Sequence, residues 1–297
     1  MSAHDHPPTD YRRAFALGVA LNSAFVLVEV GFGIAAGSLA LLADAGHNLS
    51  DVLGLLLAWG ASHLARRPPT ERRTYGLRRT SIFAALLNAV LLLVAIGGIA
   101  WEAVHRLIAP APVVGTTLIV VAAVGVAINT ATALLFLSGR KQDLNLRGAF
   151  LHMAADAMIS LGVAISGAVI YWTGWTWIDP AASLAIAAVI LVGTWDLLRQ
   201  SINLSLDAVP EGIDPVAVRG YLEGLPGVSN VHDLHIWAMS TTETALTVHL
   251  LRPGHTGDDD WLIETGEALH ERFGIGHATI QIEHGLGQRE CRDCSRP

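Results

Sequence analysis

The sequence predicts a membrane protein in two parts: an all-α bundle of six transmembrane helices, then a small cytoplasmic α+β domain of order α-β-β-α-β. Three observations carry this. Of 297 residues, 52% are hydrophobic and only 15% charged, whereas a soluble domain carries about 25% charged residues. Six apolar stretches recur, at roughly 14–36, 39–65, 80–108, 112–138, 147–172 and 179–204, each long enough to cross a ~30 Å hydrocarbon core as a helix. After residue 205 the character changes, and "LSLDAVPEGIDPV" brings Pro210, Pro215 and several acids. The chain therefore divides into an N-terminal tail (1–13), a six-helix domain (14–205) and a C-terminal domain of soluble character (206–297).

The elements follow in order. "MSAHDHPPTDYRR" has no small-residue cleavage pattern and leads into a segment too long for a signal peptide, so it is expected to be retained. The connection after the second segment holds Arg66, Arg67, Arg72, Arg73, Arg78 and Arg79, and the one after the fourth supplies Arg140, Lys141 and Arg147. Basic loops stay inside, which puts both termini in the cytoplasm. Trp172, Trp175 and Trp177 suit an interfacial belt on the other side. Arg106 departs from this pattern and is expected to snorkel or to pair with Glu102 one turn away. In the last part, Asp214 and Pro215 open a helix to about Leu225. "GVSNVHDLHIWAMS" and "ETALTVHLLRP" read as strands, a helix spans about Asp259 to Phe273, and "HATIQIEH" is a final strand. The net charge of −7 is concentrated in the acidic tail, and no G-x-x-x-x-G-K-[ST] motif is present. No nucleic acid or nucleotide partner is expected.

Polar residues inside the second and fifth segments point to chemistry. His47 and Asp51 are four apart on one helical face, and His152 and Asp156 repeat the spacing. A carboxylate deep in lipid costs at least ~2.5 kcal/mol and must face the bundle interior, so the two pairs should converge. Two imidazoles and two carboxylates form a four-ligand set suited to tetrahedral Zn²⁺, whose charge the two carboxylates offset. Asp44, three residues before His47, suits a proton relay, an ion-entry group, or a supporting hydrogen bond. Asn22, Glu29, Asn129, Thr130 and Thr132 are expected to make interhelical hydrogen bonds.

A second cluster follows from strand parity. Leu246, Val248 and Leu250 share one face and leave His249 on the other; Ile280 and Ile282 likewise leave Glu283 on the polar side. His232 opens the neighbouring strand, while unbroken alternation puts His235 on the opposite face and leaves it out. Cys291 and Cys294 have the two-residue spacing of zinc sites in a reducing compartment.

"SLALLADAGHNLSDVLGLLLA", "RRTYGLRRTSIFAALLNA", "DLNLRGAFLHMAADAMISLGV", "VHDLHIWAMS" and "HATIQIE" together resemble the cation diffusion facilitators, in particular their cobalt-zinc-cadmium efflux subgroup. The resemblance implies a homodimer in the lipid bilayer, here a bacterial inner (plasma) membrane. It also implies export of Zn²⁺, with Cd²⁺ or Co²⁺ as further substrates, in exchange for protons. It assigns the transport site to His47, Asp51, His152 and Asp156, with His47 favouring zinc over cadmium. Tail ligands are implied at His232, His249, Glu283, Cys291 and Cys294, joined by His4 or His6 from the partner subunit. Where relatives commonly carry a His and then a Glu after the "TYG" turn, this chain has Leu77 and Arg78, then Ser81 at the acidic position. No metal site is expected in that loop, and Arg78 or Arg79 is expected to pair with Asp207. Zinc takes neutral imidazole and ionised carboxylate, so loading the site expels protons, as an antiporter needs. The competing classes are a membrane metal sensor and an intramembrane zinc metalloenzyme. The second needs an open coordination position and a general base, and no His-Glu-x-x-His motif is present.

Overall fold

The computed structural model describes residues 12–137, 144–254 and 259–285. Six long helices come first: α1 (Arg12–Ala36), α2 (Leu39–Ala65), α3 (Thr80–Ile108), α4 (Gly115–Phe136), α5 (Leu144–Thr173) and α6 (Ile178–Ser205). Then follow α7 (Pro215–Glu223), β1 (Asn230–Ala238), β2 (Thr244–Leu251), α8 (Asp259–Phe273) and β3 (Ile275–Glu283). The protein is thus a helical transmembrane domain followed by a small α+β domain. Among the described residues, five helices are long and apolar enough to cross a membrane, namely α1, α3, α4, α5 and α6. The expected sixth crosser, α2, is a 27-residue helix and is not among those five. Outward-facing Leu27, Ile34, Val94, Trp101 and Val192 are largely exposed, the reverse of a soluble helix bundle and the arrangement lipid favours.

The chain forms two compact units, one of residues 1–56 and 88–195, the other of 57–87 and 196–297. In the first, Phe25, Leu41, Leu118, Val121, Val163 and Ile186 form a buried apolar core. Helices α4 and α5 meet through small residues: a Cβ on Gly167 would lie 2.7 Å from Leu118 Cβ and 3.0 Å from the Gly115 carbonyl oxygen. Without a hydrophobic driving force in lipid, such close backbone approach supplies the packing energy. The α1–α2 turn depends on Gly37, at φ +67° with its α face against the Pro112 carbonyl. Arg106 donates to the Gly37 carbonyl and pairs with Glu102 at 3.0 Å, which accounts for a cation at this helix end.

In the second unit, β1 pairs antiparallel with β2, and β2 parallel with β3, in the order β1-β2-β3. Asp214 caps α7 by accepting from the Val216 amide at 2.9 Å, with Pro215 at the first position. Gly274 at φ +68° ends α8 and starts β3. Val218 and Leu222 of α7, Leu269 of α8, and Val231, Ile236, Leu246, Val248 and Leu250 of the strands form the core. Burying each such side chain contributes roughly 1.5–3 kcal/mol. Both helices cover one sheet face, and the histidines stand on the other. Residues 66–81 join this unit: Arg79 pairs with Asp207, Arg78 with Glu243 at 3.1 Å, and Ser81 Oγ accepts from the Thr241 amide at 3.1 Å.

Candidate metal centres

The i,i+4 spacing in α2 and α5 places the four predicted membrane ligands in a ring of alternating imidazole and carboxylate. His47 Nε2 lies 3.1 Å from Asp156 Oδ1 and 3.9 Å from Asp51 Oδ2. His152 Nε2 lies 3.2 Å from the same Asp51 oxygen and 3.6 Å from Asp156 Oδ2. Ligand atoms ~2.0–2.1 Å from a tetrahedral zinc stand about 3.3 Å apart, close to the 3.1, 3.2 and 3.6 Å contacts and shorter than the 3.9 Å one; His152 is not among the residues whose ligand atoms all lie mutually close. His47, Asp51 and Asp156 each offer an atom within 4.8 Å of the others. His152 completes the ring through the two carboxylates; its imidazole is edge-on to that of His47 with centroids 6.0 Å apart. Exposure across the ring is uneven: the Asp156 side chain is 1% exposed, His47 18%, Asp51 34% and His152 41%.

Behind the ring runs a second polar row. Ser160, one turn along α5 from Asp156, donates to Asp44 at 2.9 Å, so a buried hydrogen bond sets the register of the two ligand helices. Asn48 donates to Glu29 at 2.9 Å and ties α1 to α2, and Asn22 donates to Met153 Sδ at 3.5 Å. Thr132 does not bond across helices as expected: its hydroxyl donates to the Ile128 carbonyl in its own helix, the ordinary way to satisfy a hydroxyl where no neighbour offers an acceptor. Asn129 is fully buried with neither side-chain atom hydrogen-bonded among the described residues, and Thr130 faces outward. Sequence reasoning missed Asp179. It accepts from the Ser38 hydroxyl and from the amides of Leu39 at 2.8 Å and Ala40 at 3.3 Å, capping the start of α2 from the start of α6.

The second cluster lies on the open face of the sheet. His232 and His249 are direct cross-strand partners. His232 Nε2 lies 3.2 Å from Glu283 Oε2, and His249 Nδ1 lies 3.2 Å from Glu283 Oε1. The three offer ligand atoms within 4.8 Å of one another. Despite its closeness to Glu283, the buried His249 Nδ1 has no hydrogen-bond partner among the described residues, nor has His232 Nδ1. A buried polar atom left unpaired calls for a partner, and a metal at His249 Nδ1 would supply one there. Gln281 donates to Glu283 at 3.1 Å and orients it. Cys291, Cys294, His4 and His6 lie outside the described residues.

The strand parity expected at His235 does not hold. The register passes from His232↔His249 to His235↔Thr247, so Asp233 and Leu234 together oppose the single Val248. This β-bulge puts His235 on the same face as His232, not the opposite one. His235 still stays out of the cluster: its side chain is 67% exposed and its Nε2 bonds Asp233 at 2.9 Å.

An apolar helical bundle that holds an imidazole–carboxylate ring, followed by a domain with its own imidazole–carboxylate cluster, is the class of membrane protein suited to handling metal cations. Family comparison agrees: the cation efflux transmembrane domain matches residues 15–204, and the cation efflux cytoplasmic domain matches residues 210–285. The chain belongs to the cation efflux, or cation diffusion facilitator, family. It is 37% identical over 282 residues to the metal cation efflux system protein CzcD of Cupriavidus metallidurans, covering 95% of this chain and 89% of that one. It is 39% identical over 286 residues to the zinc transporter ZitB of Escherichia coli, covering 94% and 90%. A cadmium, cobalt and zinc/H⁺-K⁺ antiporter of Bacillus subtilis is 32% identical over 289 residues, covering 94% and 91%. Among solved structures, the metal-bound C-terminal domain of the C. metallidurans CzcD transporter aligns with 36% identity and a TM-score of 0.23, over 24% of this chain and 99% of that one.

Proposed function

We propose that this protein exports Zn²⁺ from the cytoplasm in exchange for protons, with His47, Asp51, His152 and Asp156 as the transport ligands. The observation that carries the reading is the ring of four imidazole–carboxylate contacts of 3.1 to 3.9 Å inside the helical domain. Relatives described as zinc or cation efflux proteins and as a metal/H⁺ antiporter support it. Zinc requires these groups deprotonated, so metal and protons compete for the same atoms, and alternating access turns that competition into exchange. Four protein ligands fill a tetrahedral shell, which favours carriage over catalysis, since a catalytic zinc keeps a position open. In this reading α2 crosses the membrane with the other five helices. Its polar groups face the bundle, both termini are cytoplasmic, and the protein is a homodimer in a plasma membrane. His232, His249 and Glu283, with Cys291 and Cys294 and a contribution from His4 or His6 of the partner chain, hold a regulatory zinc. Losing that site shifts the zinc concentration needed for activity without abolishing transport.

The test is zinc flux in proteoliposomes. Asp51→Ala and Asp156→Ala each remove a ligand and half the charge compensation; flux should fall to background while the purified protein still elutes as the parent does. Near-native flux by Asp156→Ala rejects the assignment.

A further inference from the structure

We infer that Asp233 is a positioning residue for the tail zinc site: facing His249 Nε2, it favours the proton on that nitrogen and thereby commits Nδ1 of the ring to the metal. The inference rests on the proposed tail site of His232, His249 and Glu283 and deepens it.

The geometry begins with the backbone. A residue directly after His232 in a regular strand points toward the helix-covered core, where a carboxylate has no place. The bulge releases it. Asp233 adopts φ +51°, a region that costs most side chains energy and that Asp, with Asn, tolerates best. Leu234 then packs against the core in its stead. The carboxylate comes round to the histidine face, where its two oxygens meet two rings. Oδ1 bonds His235 Nε2 at 2.9 Å, and Oδ2 approaches His249 Nε2 at 3.5 Å, longer than an ordinary hydrogen bond.

His249 therefore stands between two carboxylates, with Nδ1 toward Glu283 and Nε2 toward Asp233. A neutral imidazole carries one proton and so offers one donor and one lone pair. If the proton sat on Nδ1, it would face Glu283 and the ring could not ligate on that side. An acceptor at Nε2 holds the proton there and frees the Nδ1 lone pair for zinc. Zinc binding in turn makes Nε2–H a stronger donor and draws it toward Asp233, the carboxylate–histidine–metal arrangement that orients ligands and raises their basicity. Asp233 is not itself grouped with the ligand atoms that approach one another within 4.8 Å.

The experiment uses the full-length protein carrying Asp51→Ala and Asp156→Ala, which leaves the tail as the zinc site, titrated with Zn²⁺ against a chromophoric chelator. Into this background go Asp233→Gly, which keeps the φ > 0 backbone at no steric cost, and Asp233→Asn, whose amide oxygen accepts the same bond without the charge. Asp233→Gly should weaken zinc binding about 10–100-fold, and Asp233→Asn should recover part of that loss. The zinc-free unfolding midpoint of both should match the background. Two outcomes overturn the inference: parent-like affinity in Asp233→Gly, or a midpoint that falls in step with affinity. No zinc binding in the background itself rejects the tail site, and the inference with it.

Discussion

At the residue scale, the helix carrying half of the membrane ligands is held by a carboxylate that is not one of them. Asp179 gathers the Ser38 hydroxyl and two amide protons of α2 in a fully buried position. Asp179→Ala leaves buried donors unpaired and should lower stability by about 1–3 kcal/mol. A thermal unfolding series in detergent reads this, with Asp179→Asn between the two because one acceptor oxygen remains; an unchanged midpoint for Asp179→Ala contradicts the capping role. At the ring, His47→Asp exchanges a nitrogen for an oxygen ligand and should keep transport while admitting Cd²⁺ more readily, measured as the Cd²⁺:Zn²⁺ flux ratio. The convergence of the two His–Asp pairs was legible because chargeable groups repeated at i,i+4 in apolar segments are too costly in lipid to stand there without partners. Asp179 was not, since its partners lie about 140 residues away in sequence. The bulge at Asp233 left a trace that alternation ignored. Val231 and Ile236 are both buried although five residues apart, a slip of phase that a regular strand does not allow, and an Asp stands where the core parity falls.

At the element scale, α4 and α5 are the pair most dependent on small residues. A side chain larger than hydrogen at Gly167 meets the Gly115 carbonyl and the Ile119 amide, both backbone atoms that cannot turn aside. Gly167→Val should therefore push the helices apart, lower the unfolding midpoint and reduce zinc flux together, whereas Gly162→Val, with open space around its Cβ position, should be tolerated. Equal behaviour of the two variants contradicts close backbone packing at Gly167. Helix ends were legible to within about three residues because Pro, Gly and polar runs mark them: α2, predicted at 39–65, spans Leu39–Ala65, and α8 spans Asp259–Phe273. The α5 start moved from 147 to Leu144, since "LNLR" favours helix but lacks the hydropathy that defined the segment.

For the whole molecule, the two units each bring an imidazole–carboxylate cluster together from distant parts of the chain. Coupling is a property of this scale. Zinc uptake into inverted vesicles should release protons from the lumen and collapse when a protonophore dissipates the pH gradient; uptake unchanged by the protonophore contradicts exchange. The order of elements was readable from hydropathy and turn residues, but the sheet register was not, because pairing is fixed by side chains that meet only after folding. The uneven exposure of the four ring ligands has a kinetic meaning. A zinc ion in water holds its hydration shell tightly, and removing it in one step would be slow. In the proposed transport, Asp51 and His152, each about a third or more exposed, would meet the ion while it still keeps some of its own waters, and Asp156, at 1% exposure, only after those are gone, so that dehydration would be spread along the ring.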